Sequence, residues 1–307
     1  MKRTWMMALG ALCAAQLVTA PAAAAGQQRQ MTPEQMAAFQ ARREAEMKEP
    51  RPIDALDSVW IEELTWMEVR DAIKAGKTSA LILTGGVESN GPHLATGKHN
   101  YVLRVMGDTI ARSFGNALVA PIVTLEPGRP DGPFVPPGSV FLSRDTYKAV
   151  LTDMALSLKS MGFTDVFLMG DSGGNQEPMK EVAEALNAKF HGTPARFYFI
   201  PEYYDYPTVR RFVQSSGITE TMDPNASQGS DGIHEEYGID ALMMLADPET
   251  VRIEQRKKAG RATINGASLV PVEKTLEMGR KIADLRAKQT VEAMRKAMTA
   301  AKSSSQQ

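Results

Sequence analysis

Thiol chemistry is almost missing from this chain: of 307 residues one is a cysteine, Cys13. It falls in an N-terminal stretch with the pattern of an export signal. Lys2 and Arg3 form a basic head, WMMALGALCAAQLV an apolar run, and TAPAAAAG offers small-residue cleavage sites, best after Ala25. A mature chain starting near Gly26 has neither thiol nor disulfide, which excludes cysteine nucleophiles and leaves any metal to nitrogen and oxygen ligands. The residues GAL before Cys13 do not form a lipid-attachment box, and Pro21 with the alanine run argues against a membrane anchor. A surplus of charge is missing too. Thirty-five Lys and Arg stand against 36 Asp and Glu, and no long basic run occurs, so the electrostatic footprint of a nucleic-acid binder is absent. A small neutral or mixed-charge ligand suits this balance. Histidine is scarce, with four in all, yet His93 and His99 share the stretch GGVESNGPHLATGKHN, 85–100.

What is present is a core: 43% of residues are hydrophobic, enough to fill a large domain. Residues 1–25 read as signal peptide and 26–52, rich in Gln, Ala, Glu, Arg and Met, as a flexible leader with some helical tendency. Residues 53–300 read as one α/β domain and 301–307, AKSSSQQ, as a frayed, disordered tail. Within the domain strands and helices alternate. TWMEVRDAIKAG opens with Thr65 and Glu68 in capping-box spacing and stops at Gly76. TSALILTGG is a continuous apolar run of the buried parallel-strand type. A helix over 101–114, a strand over 117–123, a Pro/Gly-rich loop from Glu126 to Gly138 and a helix over 144–162 follow. Then come the strand DVFLMG, a helix over 177–190 and a strand over 195–204. This order predicts a three-layer α/β/α sandwich with a mostly parallel sheet and no internal repeat.

In such sheets ligands gather at the carboxyl ends of strands. Glu88 to His99 follow the first strand, GDSGGNQE (170–177) the third, and DGIHEE (231–236) the irregular stretch after the fourth. These segments supply Glu88, His93, His99, Asp171, Asp231, His234, Glu235 and Glu236, the ligand types of Zn, Mn or Fe. Spacing alone is a weak signal, since no pair sits in a fixed H-E-x-x-H geometry.

Four ordered motifs carry a resemblance. IEELTWMEVRDAIKAGKTSALILTGGVESNGPHL resembles the opening of the creatininase (creatinine amidohydrolase) family. PPGSVFLSRDTY, MGFTDVFLMGDSGGN and HEEYGIDALMMLADPETV resemble its later motifs, over about residues 60 to 290. The resemblance implies a homo-oligomeric, metal-dependent amidohydrolase of cyclic amides, formamides or peptide-like C–N bonds. Its motif Glu matches Glu88. Asn90, however, stands where the family's metal-binding His is expected, His99 where its bridging Asp is expected, and Ser172 where the glycine-rich loop has a His.

An imidazole cannot bridge two metals as a carboxylate does, so the dinuclear centre should be lost. The expectation becomes one divalent metal (Zn, Mn or Fe) on Glu88, His99, Asp171 and His234, with an activated water, Glu88 or Glu236 as base, and no organic cofactor. Asn90, His93, Ser172, Gly173, Gly174 and Asn175 are the expected substrate contacts. SGGN could equally be a tight turn that needs glycine, His93 a polar loop residue, and Glu235 and Glu236 compensation for a helix dipole. His191 reads as the end of a helix, and ALMML (241–245) as core filler. The partner is then a small-molecule amide met in the periplasm, with no nucleic acid and no membrane anchor after processing. The competing readings are a noncatalytic periplasmic binding protein on the same scaffold and, more weakly, an envelope subunit using 26–52 as a partner-binding arm.

Overall fold

The computed structural model of the chain describes residues 31–221, 223, 225, 230 and 232–304. The segment read as an export signal, with Cys13, and Asp231 lie outside these residues. The chain divides at Pro50. Before it, helix α1 (Pro33–Glu46) starts at a capping box in which the Thr32 hydroxyl accepts from the Gln35 amide and Gln35 answers, so the leader's helical tendency is realised there. From Arg51 onward the order is α2 (Trp66–Lys74), β1 (Ser79–Thr84), α3 (Lys98–Phe114), β2 (Ala117–Val119), β3 (Glu126–Pro127), β4 (Phe141–Leu142), α4 (Arg144–Met161), β5 (Asp165–Gly170) and α5 (Gln176–Lys189). Then follow β6 (Arg196–Phe199), α6 (Tyr206–Ser215), α7 (Tyr237–Ala246), α8 (Ile253–Lys258), β7 (Thr263–Ile264), β8 (Ala267–Ser268) and α9 (Val272–Ser304).

The main sheet is parallel throughout, in the order β2-β1-β5-β6. Side chains alternate across it, as the period of a strand requires. Leu81, Leu83, Phe167 and Met169 face Leu103, Met106 and Ile110 of α3, Leu242 and Met243 of α7 and Ile282 of α9. Ala80, Ile82, Val166 and Leu168 face Tyr147 and Leu151 of α4 and Met179 and Val182 of α5. These two cores make the three-layer α/β/α sandwich expected from the sequence. Helix ends follow local signals: Thr65 and Glu68 form the predicted capping box of α2, and α3 and α4 stop at Gly115 and Gly162 in the left-handed region.

Several boundaries differ from the sequence reading. The strand expected over 195–204 ends at Phe199, because Pro201 has no amide to give and opens a 3-10 turn (Pro201–Tyr204). The Glu126–Gly138 loop begins with β3, which pairs in parallel with β4. The irregular stretch after residue 204 contains α6, capped by Asp205 on the Thr208 amide. Helix α9 runs four residues into the expected tail, through the strong helix formers Ala300, Ala301 and Lys302. Among the described residues no helix is long and apolar enough to cross a membrane.

The order β2-β1-β5-β6 places a switch between β1 and β5. The chain leaves β1 toward α3 on one face and leaves β5 toward α5 on the other, so a crevice opens between the two strand ends. The segments after β1 and β5 are the ones the sequence marks as chemical.

Candidate functional site

Helix α3 starts three residues before its expected first residue, which puts Lys98 and His99 in its first turn, beside the crevice. Cations at a helix N-terminus oppose its dipole and need compensation. Glu88 provides it. Its Oε1 receives Lys98 Nζ at 2.8 Å and His99 Nε2 at 2.9 Å, and Lys98 Nζ also donates to the His234 carbonyl at 2.6 Å. The other ring nitrogen, His99 Nδ1, lies 3.0 Å from Asp171 Oδ2.

Asp171, fully buried just past the end of β5, is saturated. Tyr203 Oη and Arg286 Nη2 donate to its Oδ1 at 3.0 and 2.9 Å, and Tyr206 Oη donates to Oδ2 at 2.8 Å beside His99. The Arg286 guanidinium stacks over the rings of Tyr203 and Tyr206. The result is an alternating chain of charge, Lys98–Glu88–His99–Asp171–Arg286, in which each carboxylate lies between two cationic or proton-bearing groups.

The titrations follow from that chain. Burial would raise Glu88, but the His99 hydrogen bond and the Lys98 ammonium outweigh it and hold the carboxyl down at about 2. Burial would lower His99, yet its bonds to Asp171 and Glu88 outweigh that and raise it. Asp171 is likewise lowered against burial, by Arg286 and His99.

A cavity of about 500 Å³ opens over this chain, lined in part by Glu88, Lys98, His99, Asp171, Ser172 and Gly173. Tyr204, Tyr206, Arg210, His234, Glu235 and Glu236 also line it. Eight residues singled out in the sequence therefore meet in one place. Asn90, His93, Gly174 and Asn175 do not line the cavity. Asn90 Nδ2 donates to the Glu88 and Ala95 carbonyls and holds its own loop, and Asn175 Nδ2 ties the glycine-rich turn to the carbonyls of Thr84 and Gly85. Glu236, a candidate base, is paired with Arg210 at 2.9 Å. His191 lies beyond the end of α5 and outside the site, as expected.

The expected single-metal set converges, but its donors are spent on one another. A metal ligand must offer a lone pair, and both nitrogens of His99 are engaged. Both oxygens of Asp171 are engaged, and Glu88 Oε1 carries two donors. What remains is Glu88 Oε2 and the exposed His234, whose Nδ1 lies 3.6 Å from that oxygen and 3.3 Å from the Ser89 carbonyl. Among the described residues no group of three or more His, Cys, Asp or Glu is placed to hold a metal ion. The residues present do not fit the metal centre that the resemblance implies. They put the Lys98 ammonium and the Arg286 guanidinium against the two carboxylates instead.

Sequence reading gave no role to three of the residues that build this centre. Lys98 adjoins His99 but becomes informative only once α3 is known to begin there. Arg286 reaches Asp171 from 115 residues away. Glu126 lies in the Pro/Gly-rich segment, buried at the head of β3, where its carboxylate accepts the Ser172 hydroxyl.

Comparison with known proteins agrees with the fold. The family model described as creatinine amidohydrolase matches residues 62–302. Among solved structures, a mutant creatininase of Zn-Zn type is 20% identical, with a TM-score of 0.56, over 79% of this chain and 99% of that one. A manganese creatininase (19% identity, TM-score 0.55) and a mutant creatininase complexed with creatine (18%, 0.56) each cover 78% of this chain and 99% of theirs. At these identities the likeness shows the fold. No curated protein matches the chain.

Proposed function

Because this chain belongs to the creatininase family, we propose that it hydrolyses a carbon–nitrogen bond of a small polar amide held in the cavity between the ends of β1 and β5. The carrying observation is convergence: three of the four motif segments shared with the family, around Glu88, Ser172 and His234, line one cavity of about 500 Å³. That volume suits a compact metabolite-sized ligand. Its wall mixes Lys98, His99 and Arg210 with Glu88 and Glu236, which favours a substrate carrying both donors and acceptors, such as a cyclic amide or a formamide. Of the two cations, Lys98 lines the cavity beside Glu88, which supports it as the group that polarises a substrate carbonyl. The export signal supports a periplasmic setting, and family analogy supports a homo-oligomer.

The test is a panel of cyclic amides, formamides and amino-acid amides incubated with the mature protein, with amine release followed by NMR. Turnover of at least one compound, lost in Glu88→Gln, is the expected result. No turnover of any compound, combined with thermal stabilisation by one of them, would move the assignment to a noncatalytic binding protein. One observation favours that second reading: Glu88, held at about 2, is a weak base at neutral pH.

A further inference from the structure

We infer that Ser172 is the attacking nucleophile of this centre and that Glu126 is the base that takes its proton. The inference rests on the C–N hydrolysis proposed above and names the group that begins it. Amide hydrolysis needs an activated nucleophile. The donors of the expected metal set are engaged on one another, and among the described residues no group of three or more His, Cys, Asp or Glu is placed to hold a metal that could activate water. Tyr206, also on the wall, donates its hydroxyl to Asp171, a carboxylate stabilised by Arg286 and a poor acceptor of a further proton. Ser172 differs: it lines the cavity, and its hydroxyl donates to Glu126 Oε2.

Glu126 is built as a base. It is 5% exposed and sits in β3, whose register against β4 pairs it with Phe141. Its carboxyl group fills the space left by Gly86, where a methyl group would stand 2.9 Å from the carboxyl carbon. Burial raises its proton affinity, the Ser172 bond partly offsets this, and the nearby Glu88 charge raises it again. That moves it from the ordinary carboxylate range toward the working range of a general base.

Ser172 is equally fixed. Its carbonyl accepts from the Asn175 amide and from Gln176 Nε2, at 3.2 and 2.9 Å. Gly170, Ser172 and Gly174 have the G-x-S-x-G spacing, but Ser172 lies in extended backbone (φ −112°, ψ 149°). Its access to the cavity therefore comes from its place at the strand end and not from a strained turn.

The steps balance. Ser172 Oγ bonds to the amide carbon as its proton passes to Glu126 Oε2 and the carbonyl electron pair moves onto oxygen, in a cavity whose wall holds Lys98 and His99. Collapse breaks the C–N bond, and the nitrogen leaves with the proton from Glu126. Water then attacks the acyl-serine ester, giving one proton to Glu126, which returns it to Oγ as the acid departs. The sum is amide plus water giving acid plus amine.

The experiment is labelling of the mature protein with a fluorophosphonate, read by intact mass and peptide mapping. One adduct per chain on Ser172 is expected, unchanged by EDTA and absent in Ser172→Ala. Glu126→Gln should slow labelling by at least about a hundredfold, with Glu126→Asp recovering part of the rate; circular dichroism establishes that each variant is folded. A folded wild type that takes no adduct on Ser172 overturns the inference. The two proposals fail separately. Amide turnover that persists in Ser172→Ala refutes the nucleophile and keeps the hydrolase, whereas Ser172 labelling without turnover of any amide does the reverse.

Discussion

Asp171 shows how far a single residue can depend on others. A buried carboxylate is tolerated when it is paired and hydrogen-bonded, and Asp171 receives Arg286, Tyr203, Tyr206 and His99 at 2.8 to 3.0 Å. Removing the cation leaves the charge buried and under-compensated, while removing a neutral donor costs one bond. Arg286→Met should therefore lower unfolding free energy by about 3–5 kcal/mol, and Tyr206→Phe by about 1–2 kcal/mol, both read from urea denaturation. Equal losses in the two variants would mean that Asp171 is not held as an anion. The same reasoning explains His99, whose interest in the sequence came from occupying a ligand's place. In the fold it lies between two carboxylates, a role that needs both ring nitrogens and leaves none for a metal.

Among elements, α9 is the one that completes the site. It crosses α7 closely at Gly279, where an added methyl would stand 2.5 Å from the Ala241 carbonyl oxygen, a backbone atom that cannot swing away. Arg286 lies seven residues on, two turns along the same face. Gly279→Ala, which would stabilise an unobstructed helix by about 1 kcal/mol, should here destabilise the protein by about 1–3 kcal/mol through overpacking. A thermal melt checks the sign; a raised Tm would show that the helices can separate freely. Because Arg286 rides on α9, the same substitution should also weaken ligand binding, which a neutral surface change would not.

This element marks the limit of what the sequence makes legible. SALILT and DVFLMG announce β1 and β5 because strands buried on both faces are apolar throughout, and the Thr65 box and Gly162 stop announce α2 and α4. Helix α9 carries charged residues along its length and sits far from the motifs, so nothing local ties Arg286 to Asp171. Glu126 is hidden similarly. Pro/Gly-rich context reads as loop, and only the pairing of β3 with β4 reveals a fixed, buried carboxylate. The residues that contact one another across the crevice were visible as types, but their being spent on one another was not. That depends on distances the chain order does not contain.

At the scale of the whole molecule the charge chain makes stability depend on pH from both sides. Glu88 and Asp171 have lowered pKa values in the fold, so their contribution is present above their ordinary values of 4.5 and 3.8 and is lost as pH falls, for Glu88 toward about 2. Glu126, Glu220 and Asp240 are raised by burial and act in the opposite sense, which softens the acid limb. His99 is raised, so its contribution is complete below 6.5 and disappears as pH climbs from there through its folded value. A Tm profile should therefore decline from about pH 6.5 upward, in a range where carboxylates with ordinary or lowered values no longer titrate. His99→Gln keeps a hydrogen-bonding side chain but cannot hold a proton there. It should lower Tm at pH 5.5 more than at pH 8.5 and flatten the decline between them. Parallel wild-type and variant profiles would show that His99 is neutral across this range, and the cationic link between Glu88 and Asp171 would have to be withdrawn.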